Sequence, residues 1–526
     1  MKFTFTLLIA ALSSVVFAQK QHYVDFYEDG EKRSEGFYER GLEHGVWKWW
    51  YPNGELKEKS TYWMGELDGE TITYYDNAQI MQKGYFKKGL QDSLLQSFSK
   101  EGVLLEEGHY TPTGKTGEWS YYLESGDLML REVYSDSSKS ILHFLNPDGE
   151  VLLQDGNGTY EEYHKDGSLK LKVNYQEGSE HGPAVFYFSN GNKQSEGAFE
   201  KGKKEGKWKT YYRSGQLETT TTYAKGIAEG DFQQYFQNAQ LDVEGQYVAG
   251  MKEGEWTWYF RDGNTDMKGS FVKDVQEGKW TFFYANGNVH YTGEYQNGEM
   301  EGFWEYFYFD GQPWHSGNYK QGLKDGTWEY FFESGSPLMT GNFSEGKENG
   351  TWESWYESGN PKDKGDYTMG ELDGSWEGWY PNGVKNYEGN WSGDVRTGMW
   401  SFYHDNGQVD EAGEFDKEGR KTGSWKTNNR SGITEQEGTY KEGVPHGKWQ
   451  YRFPNGSPMR ECVYSMGKLD GMVKTYDRRG RLLTEAEYSN NRRDGKYIQY
   501  NDRTGKVEQH MIFENGQMVK NVLSGK

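Results

Sequence analysis

Cysteine is almost missing from this chain: Cys462 is the only one in 526 residues. No intramolecular disulfide can form, so the fold must rest on its own hydrogen bonds and packing. Basic charge is also short. The 59 Lys and Arg stand against 81 Asp and Glu, a net charge of −22. Nucleic acid and anionic lipid both recruit Lys and Arg to displace counterions, so neither nucleic acid nor phospholipid is expected as a partner. Aliphatic bulk is low too. Hydrophobic residues are 34% and aromatic residues alone 17%, so half of the apolar content is Trp, Tyr and Phe. That excludes a deep aliphatic core and suits a thin sheet of wide, amphipathic side chains. The 11 His are scattered, with no paired metal spacing. Only one long apolar run exists, from Phe3 to Phe17 after Met1-Lys2, and it ends Val16-Phe17-Ala18. A basic start, a short apolar stretch and small residues at −3 and −1 read as a secretory signal peptide over 1–18. The mature chain is therefore expected to be exported, to the periplasm, the envelope or the medium.

What the chain has in abundance is periodicity. Trp256, Trp280, Trp304, Trp328, Trp352, Trp376 and Trp400 follow one another at 24 residues without a slip. A fixed period of this length is the signature of a repeat architecture. With Trp as position 0, the unit reads G-x-[YF]-x-x-G-x-x-x-G-x-W-x-x-[YF]-[YF]-x-[NSD]-G. The same beat places anchors at Trp208, Phe232, Ala184 and Tyr160, and in an earlier block at Tyr23, Trp47, Thr71, Leu95 and Trp119. One extra residue near Gly419 moves the later anchors to Trp425, Trp449, Val473 and Tyr497. At +7 the residue is Gly except for Ala78, Ala239 and the displaced Gly505. The register breaks between Trp119 and Tyr160, around Ser135–Ser140. The expected organisation is a leader at 1–18, a first repeat block at 19–134, an irregular break at 135–157, and a main array at 158–526 with an atypical C-terminal cap.

Within a unit, aromatic and β-branched residues alternate with polar ones, and Gly-containing turn signals bound each run, which reads as strand, turn, strand. Gly at one residue in eight opposes helix. The expected fold is all-β: an elongated antiparallel meander, a solenoid-like ribbon of about 20 tandem 24-residue hairpins. Asn286-Gly287 reads as a tight hairpin turn in which both residues take positive φ. The pleat puts 0, +2 and +4 on one face and +1 and +3 on the other. The anchors Trp208, Trp256, Trp280, Trp304, Trp328, Trp352, Trp376 and Trp400 are expected on the better buried face, stacked on neighbouring Trp and Tyr. A second aromatic row runs at +3: Tyr211, Tyr235, Tyr259, Phe283, Phe307, Phe331, Trp355, Trp379 and Tyr403. Contiguous exposed aromatics mark interaction surfaces, so this row is the candidate partner stripe. The alternative is that it packs the back of the ribbon under long polar neighbours. The segment Lys474 to Lys526 is locally basic, with 11 Lys or Arg against 7 Asp or Glu. It is either a cap or a docking end.

Apparent chemical motifs dissolve into the repeat. Gly202-Lys-Lys-Glu-Gly206-Lys207-Trp208 has one residue too few for a phosphate loop, and Trp stands where Ser or Thr would hold magnesium. His44, His181 and His446 share one turn slot in distant copies. No catalytic residue, metal site or cofactor is expected.

The unit resembles the MORN repeat, and more closely its bacterial variant. Gly365-Asp-Tyr367-Thr-Met-Gly370-Glu-Leu-Asp-Gly374-Ser-Trp376-Glu-Gly-Trp379-Tyr380-Pro-Asn382-Gly383 carries the pattern, as do the turns at His44-Gly45, His181-Gly182 and His446-Gly447. The resemblance implies β-hairpins, no catalysis by the repeats, and a scaffold for protein assembly; some bacterial variants are labelled antitoxin components. Three functions stay open: a non-enzymatic protein-binding scaffold, a glycan- or cell-wall-binding repeat, and an antitoxin or immunity protein. Self-association belongs with the first.

Overall fold

A computed structural model describes residues 20–136 and 138–523. The expected leader at 1–18 lies outside them. The chain divides into two compact units, 1–251 and 252–526. Both are built of strands, and no α-helix occurs among the described residues. Each strand pairs antiparallel with the next along the chain. In the first unit the ladder runs from Gln21–Phe26 to Leu241–Val248, and in the second from Thr265–Val272 to Gln517–Asn521. The expected all-β meander of tandem hairpins is what the chain forms.

One repeat shows why. Strand Val289–Gln296 turns back through Asn297 (φ 52°) and Gly298 (φ 82°) into Glu299–Phe307. Two consecutive positive φ values give a type I′ turn, whose twist matches that of the strands it joins. The other connection, Tyr308 to Gln312, closes by Tyr308 N–H to Gln312 O (2.8 Å) and Gly311 N–H to Tyr308 O (2.9 Å). In that connection only the Gly takes positive φ (92° at Gly311), and the ladder slips by one residue where Phe307 faces Pro313. The Asn-Gly pair at Asn286-Gly287 sits in this wider turn, so the two-residue expectation is corrected. Gly287 alone is left-handed, and Asn286 is there for its side chain. Its Oδ1 accepts Asn288 N–H (3.0 Å) and its Nδ2 donates to Phe309 O in the next repeat (2.9 Å). The tight turn is the other one, Asn297-Gly298.

Where the expected break in register falls, at 135–157, the strands still pair. Ser138–Leu145 pairs with Leu128–Ser135 on one side and with the short strand Val151–Gln154 on the other. Ile141, Phe144 and Leu153 form a buried aliphatic–aromatic cluster there in place of a Trp. The ladder persists through shortened hairpins; only the 24-residue spacing is lost.

In each unit the core is built mainly of the anchor indoles, with smaller apolar anchors such as Leu95 and Val473 between them. All twelve Trp anchors are 9% exposed or less. Each lies flat on the backbone of the preceding strand, where a glycine makes room. A Cβ added to Gly293 would stand 2.1 Å from the Trp304 ring, and one on Gly317 would stand 2.3 Å from Trp328. The indole Nε1–H then donates to the carbonyl one residue on, Trp304 to Glu294 O (3.1 Å) and Trp328 to Asn318 O (3.1 Å). Between successive indoles stands a Tyr or Phe, edge-on. Tyr295–Trp304, Trp304–Tyr319, Tyr319–Trp328 and Trp328–Phe343 have centroids 5.2, 6.0, 5.1 and 6.1 Å apart and interplanar angles of 88, 79, 90 and 83°. The expected stacking on neighbouring Trp and Tyr is made within the strand, as in Trp47–Trp49 (5.8 Å, 25°) and Trp304–Tyr306 (6.3 Å, 30°), while successive anchors are separated by this herringbone. Equivalent strands are about 9–10 Å apart, a gap that one edge-on ring fills with favourable quadrupole geometry.

Candidate interaction surface

A one-layer sheet should leave its aromatics wet, yet these indoles are dry. The reason is a roof. In the copies of Trp119 and Trp328, Lys at −4 swings over the ring and meets a tyrosine hydroxyl at +2. Lys324 Nζ lies 4.1 Å from the Trp328 centroid and donates to Tyr330 Oη (2.9 Å). Lys115 lies 3.7 Å over Trp119 and donates to Tyr121 Oη (2.6 Å). Tyr306 and Tyr319 close the next gap, hydroxyl to hydroxyl at 3.2 Å. The anchors Trp208, Trp256, Trp280, Trp304, Trp328, Trp352, Trp376 and Trp400 are thus interior residues. The +2 rings form a lane with the rings that face them on the next strand, at +11. Phe282, Tyr291, Tyr306 and His315 follow each other at 4.2, 5.4 and 4.1 Å, one ring per strand. Burial in this lane holds the His315 imidazole down at about 4, with Lys324 adding to it, and its Nδ1 has no hydrogen-bond partner.

The pleat argument put +4 on the Trp face, and this is corrected. Position +4 falls just past the strand end and bridges repeats along the hairpin edge. Tyr284, Tyr308, Tyr356 and Tyr380 each donate their hydroxyl to a carbonyl 23 residues on, at 2.7–2.9 Å. The opposite edge is stapled by carboxylates at −3. Glu277 accepts Asn297 N–H (2.8 Å) and Glu301 accepts Gln321 N–H (2.9 Å). In the same slot, His446 Nδ1 receives Met466 N–H (3.4 Å).

The candidate stripe at +3 lies on the back of the sheet. Tyr211, Tyr235, Tyr259, Phe283, Phe307, Phe331, Trp355, Trp379 and Tyr403 are all half-buried. Two of its hydroxyls are tied to glutamates fifteen residues back, Tyr211 to Glu196 and Tyr403 to Glu388, both at 2.5 Å. Lys193 beside Glu196, and Lys385 beside Glu388, hold those carboxyls below their ordinary value, and the tyrosines add to it. Burial pushes the Tyr211 phenol up to about 12. The row is therefore a half-covered seam.

The open aromatics lie elsewhere. On the hairpin formed by Glu299–Phe307 and Pro313–Lys320, Phe303 is 53%, Phe309 59% and Trp314 40% exposed. Phe309 leans on Tyr284 (5.3 Å) and Trp314 on Tyr308 (5.9 Å), so they extend the edge formed by the +4 tyrosines. In the first unit, Trp63 stands 61% exposed against His44 (4.8 Å). None of these side chains lies in the +3 row. The sequence offered a signal for them all the same: Phe303 and Trp314 are large apolar residues at offsets where most other copies carry polar ones.

Among the described residues, no group of three or more His, Cys, Asp or Glu side chains is placed to hold a metal ion. No helix among them is long and apolar enough to cross a membrane.

No curated protein matches the chain. Solved structures it is similar to include "Crystal Structure of TcdB2-TccC3-Cdc42", at 10% identity and a TM-score of 0.12, over 95% of this chain and 31% of that one. A structure of the Photorhabdus luminescens Tc holotoxin pore is similar at 10% identity and a TM-score of 0.13, over 95% of this chain and 33% of that one. The chain thus spans about a third of the length of these proteins. The family model described as "MORN repeat variant" matches eight times, at 43–64, 157–177, 204–225, 252–273, 276–297, 348–368, 372–392 and 396–417. These matches fall in both units, on the hairpins whose glycine, indole and turn geometry is described above: the chain is a MORN-repeat protein.

Proposed function

We propose that this chain is an exported, non-enzymatic scaffold that binds another protein through exposed aromatics on one edge of its hairpin array. The observation that carries the reading is the exposure of Phe309 and Trp314 along the edge formed by the +4 tyrosines, with Phe303 exposed on the same hairpin. Exposed rings cost solvation, and large apolar side chains exposed on one hairpin of an acidic chain mark a contact with another molecule. Aromatic anchors on a rigid element supply most of the energy of a protein interface. The roofed indoles and stapled turns supply that rigidity and leave the Trp face unavailable for the same task. Export rests on the leader-like segment at 1–18, and exclusion of nucleic acid and phospholipid rests on the net charge of −22.

The test is affinity capture from native envelope and medium fractions, comparing the mature chain with the triple variant Phe303→Ser, Phe309→Ser, Trp314→Ser. The reading expects one or more proteins retained by the parent and lost from the variant, with thermal unfolding unchanged. Equal retention by both chains, or retention of cell-wall glycan alone, overturns it.

A further inference from the structure

The roof over the indole row has a gap at Trp208. In three other copies, the lysine at −4 finds a polar partner after crossing the ring. Lys324 bonds to Tyr330 six residues on, and Lys115 bonds both to Tyr121 six residues on and to Glu106 (3.2 Å). Where the residue six on is Thr427, Lys421 pairs instead with Glu411 (2.5 Å). Lys204 has neither arrangement. Six residues on stands Thr210, too short to reach, and the slot that holds Glu106 or Glu411 in those copies holds Ser195. Its ammonium lies 4.4 Å from the Trp208 centroid and 5.0 Å from Tyr223, with no hydrogen-bond or carboxylate partner among the described residues. Partial burial lowers its proton affinity.

The missing groups leave space. A cavity of about 420 Å³ opens at this point, walled by Phe186, Phe199 and Trp208 and edged by Gln194, Ser195 and Glu218 beside Lys204. The Thr210 hydroxyl is already engaged, with Thr219 (2.7 Å) and Glu218 (3.3 Å). The remaining polar edge offers an amide, a hydroxyl and a carboxylate facing one unpaired ammonium across an aromatic floor. We infer that this cavity is a binding site for a small hydroxylated carboxylate of sugar-acid type, whose carboxylate takes the place of the absent glutamate beside Lys204. The ring of such a ligand lies against Phe186 and Phe199, and its hydroxyls meet Gln194, Ser195 and the Glu218 carboxylate. A purely apolar carboxylate leaves Glu218 with nothing to accept and binds less well. A neutral sugar leaves Lys204 unpaired. The site is in the first unit and does not depend on the protein-binding edge proposed in the second.

The probe is glucuronate, titrated into the mature full-length protein and followed by tryptophan fluorescence and calorimetry, with glucose and benzoate alongside. The inference expects saturable one-site binding of glucuronate, at least tenfold tighter than either control. Lys204→Met should weaken it at least tenfold. Thr210→Tyr, which restores the lysine–tyrosine contact seen at Lys324–Tyr330 and fills the gap, should abolish it while leaving the circular dichroism spectrum and the captured protein partner unchanged. Absence of saturation by glucuronate overturns the inference. So does equal affinity for glucose, or binding that survives Thr210→Tyr in a folded protein. If Thr210→Tyr does not fold, Lys204→Met alone decides: affinity within twofold of the parent overturns the site.

Discussion

At the scale of single residues, the chain is governed by pairs of complementary volume. Every Trp anchor is matched by a glycine on the preceding strand, as in Gly317 with Trp328. Smaller anchors are matched by larger partners: Cys462 precedes Val473, Ala486 precedes Tyr497, and Val173 precedes Ala184 at the same eleven-residue offset. Cys462 is 2% exposed and burial pushes its thiol up, so it acts as filler. Gly317→Ala should therefore cost about 1–3 kcal/mol by overpacking. Combining it with Trp328→Val should recover part of that loss relative to the sum of the single changes; urea unfolding of the four chains checks this. Trp328→Ala alone should cost about 3–5 kcal/mol. Strain is stored at two other residues. Ala78 (φ 65°) and Ala239 (φ 67°) occupy the turn position that Gly fills in nearly every other copy. Ala78→Gly and Ala239→Gly should each stabilise by about 1 kcal/mol, because the left-handed region costs a Cβ about 1–2 kcal/mol. Thermal unfolding of each variant, expected a few degrees above the parent, measures it.

At the scale of the hairpin, stability comes from repeated bonds between neighbours. Many repeats carry a tyrosine hydroxyl bond on one edge and a carboxylate bond on the other, each worth about 0.5–1.5 kcal/mol for a typical bond. Protons reach this network in two steps. His315 binds its proton at about 4 in the fold against 6.5 when free, so the unfolded chain is the first to protonate. Stability should fall as pH drops from 6.5 towards 4, and His315→Phe should flatten that part of a melting-temperature curve. Glu196 and Glu388 are held below their ordinary value. Their contribution is complete above the unfolded carboxyl range and is lost at still lower pH, with or without His315. The sequence made the strands, the buried indoles and the glycine spacing legible, because each follows from period and pleat. It did not show the role of Tyr308, since a pleat rule cannot tell that the strand ends one residue earlier. Nor did it show the half-covered state of Phe307 and Trp355, which depends on partners across the strands.

At the scale of the whole chain, contacts between neighbours dominate, and energies in such arrays add locally. Trp328→Ala should thus speed hydrogen exchange in the hairpins around 295–352 and leave those of 32–122 at the parent rate, read by peptide-level mass spectrometry. The fold was legible along nearly the entire length because one pattern covers it. The interaction surface was not, because Phe303, Phe309 and Trp314 depart from that pattern, and departures carry no period. The same holds for the cavity at Lys204, which exists only because Thr210 and Ser195 are smaller than their counterparts.

The central claim is that the anchor indoles lie sealed between glycine backbone and neighbouring side chains. Exchange of the indole Nε1–H protons, followed by nitrogen-resolved NMR after transfer to D₂O, tests it most directly. The anchor indoles, such as those of Trp119, Trp304, Trp328 and Trp400, should hold their protons for hours, while Trp63 and Trp314 lose theirs at once. Rapid loss from the anchors along with Trp63 and Trp314 would mean that the Trp face is open to water, and the account would be wrong.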